Sequence, residues 1–312
     1  MDPNSLIGVS DQLLSEWAAE FTGQQFVADQ IAPRVTVPTQ ADKYPVHGSE
    51  HLRLRVDTAT PRSEVSEIPL TLSSDTYYAG GHALKHAVPT RHRAEAAEAQ
   101  AAVDHTMEGI LLNREHAVAS YVTDATVVPG SAAPTAPWTG ESTDIASFIR
   151  AQQALVAGRT GVMPNCLVIG PDVLAVLAEN EALLQRIRYS QTGVLTEDLL
   201  GTLLGGLTVI VPGAVAATSA EGQPLAAAQV WPAATGVLYY KAPTTSLASR
   251  CAFKSPVWGT GASGQAIGGV EVRRWRDEGY GTDGAEWIQS CLYYGLIAPN
   301  PGAAQRLTDL VA

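Results

Sequence analysis

Residues 51–72 read HLRLRVDTATPRSEVSEIPLTL, an alternating pattern interrupted once. His51-Leu52-Arg53-Leu54-Arg55-Val56-Asp57 alternates with period two, Thr58-Ala59-Thr60-Pro61-Arg62 is turn-like, and Ser63 to Leu72 alternates again around Val65, Glu67 and Pro69. This pattern predicts a long two-stranded hairpin. Arginines on one strand then face Glu64 and Glu67 on the other, each pair worth a few tenths of a kcal/mol. A lone two-stranded ribbon is marginal in water. Either it docks as an edge hairpin on its own domain or another subunit holds it. Pro61 and Pro69 suit a ribbon barred from further pairing.

Before the hairpin, Asp11 to Phe21 places Leu13, Leu14, Trp17 and Phe21 on one helical stripe. Phe26, Val27, Ile31, Val35 and Val37 then read as extended chain. Pro33 and Pro38 exclude a helix and a central strand there. A segment with an apolar side and no regular pairing must borrow a surface, so residues 1–44 read as an arm. After the hairpin, residues 90–122 contain no proline. Val103, Met107, Ile110, Leu111, Ala117 and Tyr121 recur at helical spacing, with Thr90 as the candidate N-cap. A helix of ~30 residues is ~45 Å long, more than a compact domain needs.

Further on, Asp144–Gly158 reads as helix, Cys166–Ile169 as a buried strand, Val173–Arg188 as helix, Glu197 to about Gly205 as a short helix and Leu207–Val211 as strand. Gly236–Tyr240 is one more strand. Val270–Arg276 and Glu286–Ile297 form a second hairpin. The order of elements reads as an α+β or α/β core.

The chain has 312 residues, 20 basic and 31 acidic, for a net charge of −11. That argues against coating nucleic acid by bulk charge. Residues 1–150 hold 10 basic and 19 acidic side chains and every histidine, so the front of the chain is the ionic part. Three cysteines without a CxxC exclude a disulfide framework and a cysteine-rich zinc site. No signal peptide or membrane-spanning run is visible, which points to the cytosol.

Catalytic motifs are missing. Gly259-Thr260-Gly261-Ala262-Ser263-Gly264 matches GxGxxG but is followed by alternating residues rather than a helix, so a loop is expected. His82 and His86 flank Lys85 between Gly80-Gly81 and Pro89, a poor setting for a metal. Arg273, Arg274 and Arg276 run into Asp277 and Glu278, a solvated strand end with internal pairing. Trp275, Tyr280, Trp287, Tyr293 and Tyr294 suit a core or a subunit contact. No catalytic residue, cofactor or metal is expected.

Phe26-Val27-Ala28-Asp29-Gln30-Ile31-Ala32-Pro33-Arg34-Val35, Val168-Ile169-Gly170-Pro171-Asp172-Val173 through Thr196-Glu197-Asp198-Leu199-Leu200, and Tyr293-Tyr294 to Pro299-Asn300-Pro301-Gly302 carry a resemblance. In this order of elements the chain resembles the major capsid protein of tailed double-stranded DNA bacteriophages, the Hong Kong 97-like fold, which encapsulin shells share. The resemblance implies the α+β class, with an N-terminal arm (1–44), an extended loop (45–75), a peripheral domain (76–194) with its spine helix at 90–122, an axial domain (195–268) and a return to the peripheral domain (269–312). It implies hexamers and pentamers of this chain in an icosahedral shell around double-stranded DNA held without sequence-specific contact. Separate scaffolding, portal or decoration proteins are implied as partners, and no membrane. Contacts between copies are expected at Phe26, Ile31 and Arg34 of the arm and Arg53, Arg55, Arg62, Glu64 and Glu67 of the loop. Certain such shells join a lysine of the loop to a neighbour's asparagine. Lys43, Lys85, Lys241 and Lys254 all lie outside 45–75, so a non-covalent shell is expected. The rival readings are an encapsulin-like compartment and a cytosolic α/β enzyme.

Overall fold

The computed structural model describes residues 9–21, 26–54, 73–89, 96–139, 144–187, 196–217, 219, 222–224, 226–244 and 246–311. In chain order the leading part comprises β1 (Val9–Ser10), α1 (Gln12–Glu20), α2 (Ala28–Ile31), β2 (Arg34–Val37), β3 (Ala41–Val46), β4 (Ser73–Tyr78) and β5 (Gly80–Pro89). The middle comprises α3 (Ala96–Thr123), β6 (Ser131–Ala132), α4 (Ile145–Thr160), β7 (Cys166–Ile169), α5 (Pro171–Glu179), α6 (Glu181–Ile187) and α7 (Glu197–Leu203). The rest comprises β8 (Thr208–Ile210), β9 (Val215–Ala217), β10 (Ala227–Gln229), β11 (Gly236–Tyr239), β12 (Ser255–Trp258), β13 (Val270–Asp277), β14 (Ala285–Tyr294) and β15 (Ala304–Leu307).

The expected second hairpin, β13 with β14, is the centre of the first sheet. β14 pairs with β13 on one side and, over its full length from Ala285↔Pro89 to Tyr294↔Gly80, with β5 on the other. β1 continues the sheet beyond β13; β12 joins the Tyr294 end and carries β2 in parallel. One face holds a core in which Val103, Met107 and Ile110 of α3 meet Val272, Ile288 and Leu292. Thr106 and Ser290 satisfy each other's hydroxyls inside it at 2.7 Å.

The second sheet runs β6-β15-β11-β7-β8. Alternate residues of β7 enter different cores: Cys166 and Val168 face one, Leu167 and Ile169 the other. A strand buried on both faces explains the unbroken apolar run of Cys166–Ile169. The core shared by Val168, Val237 and Tyr239 also takes in Val118, Ala119 and Val122 of α3. The helix thus packs on the first sheet with its first half and on the second with its last turns. At 28 residues it is ~42 Å long. Its buried stripe drifts, so Val118 and Val122 are buried where Ala117 and Tyr121 were expected.

Four expectations change. The helix expected at 173–188 is two helices broken at Asn180, whose side-chain oxygen accepts from the Leu183 N–H at 3.2 Å. A boundary at 194/195 would cut the ladder between β7 and β8, paired from Cys166↔Thr208 to Val168↔Ile210. The second-sheet unit instead draws on residues 131–239 and 304–307. Of the strand expected over His51–Asp57, His51 and Leu52 lie in a short 3-10 turn over Glu50–Leu52, and residues 55–57 lie outside the described residues. Among the described residues a ribbon pairs β3 with β4, in register from Ala41↔Tyr78 to Val46↔Ser73. Lys43 therefore stands on the ribbon, which removes the ground given for a non-covalent shell. The turn and second strand expected over 58–72 and the Thr90 cap lie outside the described residues.

One glycine is required for close approach. Gly201 lies in α7, its carbonyl accepts from the Leu207 N–H at 3.0 Å, and a β-carbon there would sit 2.1 Å from the Leu207 carbonyl oxygen. Alanine ordinarily stabilises a helix interior over glycine by up to ~1 kcal/mol. Gly201→Ala is expected to reverse that sign and cost about 1–3 kcal/mol, because α7 must back away from β8. Urea unfolding of the subunit checks it.

Candidate assembly surfaces

The leading segment is docked on its own chain, so the expectation of an arm that depends on other copies is corrected for residues 9–37. The Asp11 carboxylate accepts from the Leu14 N–H at 3.2 Å and caps α1, while the Ser15 hydroxyl accepts from Val272 N–H at 2.9 Å. Leu14 and Ala18 are buried against the first sheet, and the Trp17 indole donates to Asp104 of α3 at 2.7 Å.

A buried ionic latch holds the following residues. Glu115 of α3 is fully buried and accepts from Val27 N–H (3.1 Å), Ala28 N–H (2.8 Å) and the Trp231 indole (2.8 Å). Burial pushes its pKa up, against the three donors. Arg114, also buried, reaches Asp29 at 2.7 Å, and Arg34 binds the same oxygen at 2.8 Å. Burial pushes the Asp29 pKa up, but Arg114 and Arg34 outweigh it and hold the carboxyl below its ordinary 3.8. Its contribution to stability is therefore full above that value and lost as pH falls below it.

The ribbon has one face on its own body. Tyr44 and Tyr77 are buried with Val37 and Ile297. The Tyr44 hydroxyl donates to Asp75 across the ladder, and that of Tyr77 to the Thr39 carbonyl, both at 3.2 Å. Past β3, Leu52 lies on Gly161, the left-handed residue that ends α4. Leu54 is fully exposed, and Tyr78 is mostly so.

β5 presents a different surface. Its pairing partner is β14 alone among the described residues, and side chains from Gly81 to His86 are exposed. Along it lies a groove of about 420 Å³ lined by Phe26, Leu84, Leu112 and Val215, with His86, His105 and Glu108 among its polar lining. The His86 and His105 rings meet edge to face at 5.9 Å. On the sheet's other face the Lys85 amine sits 4.3 Å over the Trp287 ring, which stacks on Trp275 and receives the edge of Tyr280. Tyr293 and Tyr294 are not in this group: Tyr293 packs on Trp258 and Tyr294 on His82.

Each residue expected between copies now has a place. Ile31 is 1 % exposed inside the subunit's own core, which corrects its assignment as a contact between copies. Arg34 pairs within the subunit, and Phe26 lines the groove. Arg53 is exposed beyond the 3-10 turn; Arg55, Arg62, Glu64 and Glu67 lie outside the described residues. The arginines of this strand end are internally paired, Arg273 with Glu271, Arg274 with Glu286 and Arg276 with Glu278. The GxGxxG match is a loop between β12 and β13. Among the described residues no three metal-ligating side chains cluster, and no helix is long and apolar enough to cross a membrane.

No family model matches the chain. Its fold is that of phage capsid proteins. A phage-related protein of Bordetella bronchiseptica RB50 superposes with a TM-score of 0.76 at 19 % identity, covering 97 % of this chain and 98 % of that one. The capsid of Cyanophage P-SCSP1u gives 0.56 at 9 % identity, over 89 % and 86 % of the two chains. The SrpI encapsulin of Synechococcus elongatus PCC 7942 gives 0.52 at 11 % identity, over 96 % of each chain. In sequence the chain is similar to the major capsid protein of Burkholderia phage BcepMu, 28 % identical over 203 residues. That match spans 63 % of this chain and 66 % of the relative, just under two thirds of its length.

Proposed function

We propose that this chain is the major capsid subunit of a tailed phage, assembling with itself as hexamers and pentamers into an icosahedral shell around double-stranded DNA. What carries the reading is the agreement of a sequence relationship to a major capsid protein with a capsid fold that runs through nearly the whole chain. The role is structural. Repetition of modest contacts under closed symmetry makes such a shell stable although single contacts are weak. A net charge of −11 disfavours tight binding of the packaged DNA. Assembly takes place in the host cytoplasm, with scaffolding, portal or decoration proteins supplied by separate chains.

An encapsulin-like compartment is the second reading, because such a shell shares the fold. Particles purified from their natural host and treated with nuclease separate the two. Protected DNA of uniform length is the expected content; a protein cargo without DNA contradicts it.

The loop charges Arg53, Arg55, Arg62, Glu64 and Glu67 are proposed to pair between copies. The double reversal Arg53→Glu with Arg55→Glu is expected to leave the subunit folded while particles fail to form. Normal particles by electron microscopy would refute the pairing.

A further inference from the structure

We propose that His51 is a proton-operated latch at the root of the segment that follows it. As the imidazolium it ties the turn at residues 48–52 to the end of α4; as the neutral ring it gives up one of its two bonds and loosens that root.

The placing of the ring carries this. Its Nδ1 lies 2.9 Å from the Gly48 carbonyl oxygen and its Nε2 lies 3.1 Å from that of Thr160. A carbonyl oxygen only accepts, and a neutral imidazole holds one N–H, so the neutral ring satisfies one of the two. Its other contact then sets a ring lone pair against a carbonyl lone pair. The imidazolium donates at both nitrogens.

The far acceptor suits a cation. Thr160 is the last residue of α4, and its carbonyl is among those that a helix end leaves without an intrahelical donor. Four residues on stands Pro164, which has no N–H to offer. The negative end of the helix dipole favours a positive partner there. Gly161 keeps the seat open. It ends α4 at a φ of 69°, and a β-carbon on it would lie 2.6 Å from Leu52 Cδ2 and 3.4 Å from His51 Nε2.

The charges around the ring come from three places. His47 stands before the turn, its own N–H held by the Pro299 carbonyl. Burial lowers the His47 pKa, and Arg250, Lys254 and His51 lower it further against the Ala248 carbonyl, which favours the neutral ring beside the latch. Arg159, in the last turn of α4, donates to the Gln305 side chain. Glu50 and Arg53 flank the ring in sequence. The latch is therefore tightest in acid and weakens as pH rises through the range where histidine loses its proton. The chain leaves the turn through Arg53 and Leu54, both exposed, toward the residues proposed to pair between copies. That a proton sets how firmly those residues are rooted rests on the shell reading; the latch itself does not.

Hydrogen–deuterium exchange on the dissociated subunit tests the latch, with each rate divided by that of the unfolded chain at the same pH. The Leu52 N–H donates to the Ser49 carbonyl at 3.0 Å. Its protection should fall about threefold to tenfold between pH 5.5 and 7.5, the scale of one hydrogen bond. His51→Gln does not titrate and should show no such slope. The amides of β7, buried in the second sheet, report any change in the whole fold. A flat Leu52 profile in the parent overturns the proposal, as does the same slope in His51→Gln or a slope shared with the β7 amides. No particle is needed, so each of these results leaves the shell reading standing.

Discussion

Glu115→Ala is expected to destabilise the dissociated subunit by about 2–5 kcal/mol, because it removes the acceptor shared by three buried donors. The substitution leaves the Val27 and Ala28 N–H groups and the Trp231 indole without their acceptor. Each orphaned buried donor costs about 1–3 kcal/mol, partly relieved where water enters. The loss would fall first on residues 26–37, since α2 is a four-residue helix with no side-chain cap of its own. Urea unfolding gives the magnitude, and exchange at Val27 and Ala28 gives the place. A cost below about 1 kcal/mol, within the range of a single ordinary hydrogen bond, would show that the latch is not what holds this segment.

The second large effect is a pH dependence at Lys254. This side chain is fully buried in the structure, and its amine donates to the carbonyls of Leu247 and Ser249. Burial pushes its pKa from 10.5 down to about 8. Between those values the unfolded chain binds the proton and the folded one does not, so this group makes stability rise with pH across the interval and withdraws that gain as pH falls through about 8. At 1.36 kcal/mol per unit the whole effect is at most about 3 kcal/mol. Measured as parent minus Lys254→Met, which cancels other titrations, the unfolding free energy should climb by about 1–3 kcal/mol between pH 7.5 and 10.5. A flat difference would mean that the amine is solvated in the folded subunit.

Much of the framework was legible in the residues. The β13–β14 hairpin, the spine helix α3 and the strands β7 and β11 declare themselves because local pattern and tertiary environment agree. The leading segment does not. Pro33 and Pro38 correctly deny Arg34–Val37 a central place, and β2 is an edge strand. Nothing local, however, reveals that Val27 and Ile31 dock on α3, because the groups that bind them lie 80 or more residues away. Charge alone does not mark Arg114 and Glu115 as buried. A signal existed: Arg114 follows Met107 and Ile110 at helical spacing and precedes Val118, on the same buried stripe. The described ribbon, β3 with β4, flanks the stretch where the hairpin is expected, of which residues 55–72 lie outside the described residues. Alternation in His51–Asp57 mimics a strand, whereas Glu50–Leu52 turns to lay Leu52 against the end of α4. Lys254 carries no local sign of its burial. Its burial depends on Ile297, with which it forms an isolated bridge from across the chain.

Sedimentation velocity of the purified full-length chain, with negative-stain microscopy of the fastest fraction, bears most directly on the shell. Hollow particles of uniform diameter, in equilibrium with folded subunits, are the result this structure predicts. A chain that stays monomeric or dimeric at every concentration and salt, while fully folded, would contradict it.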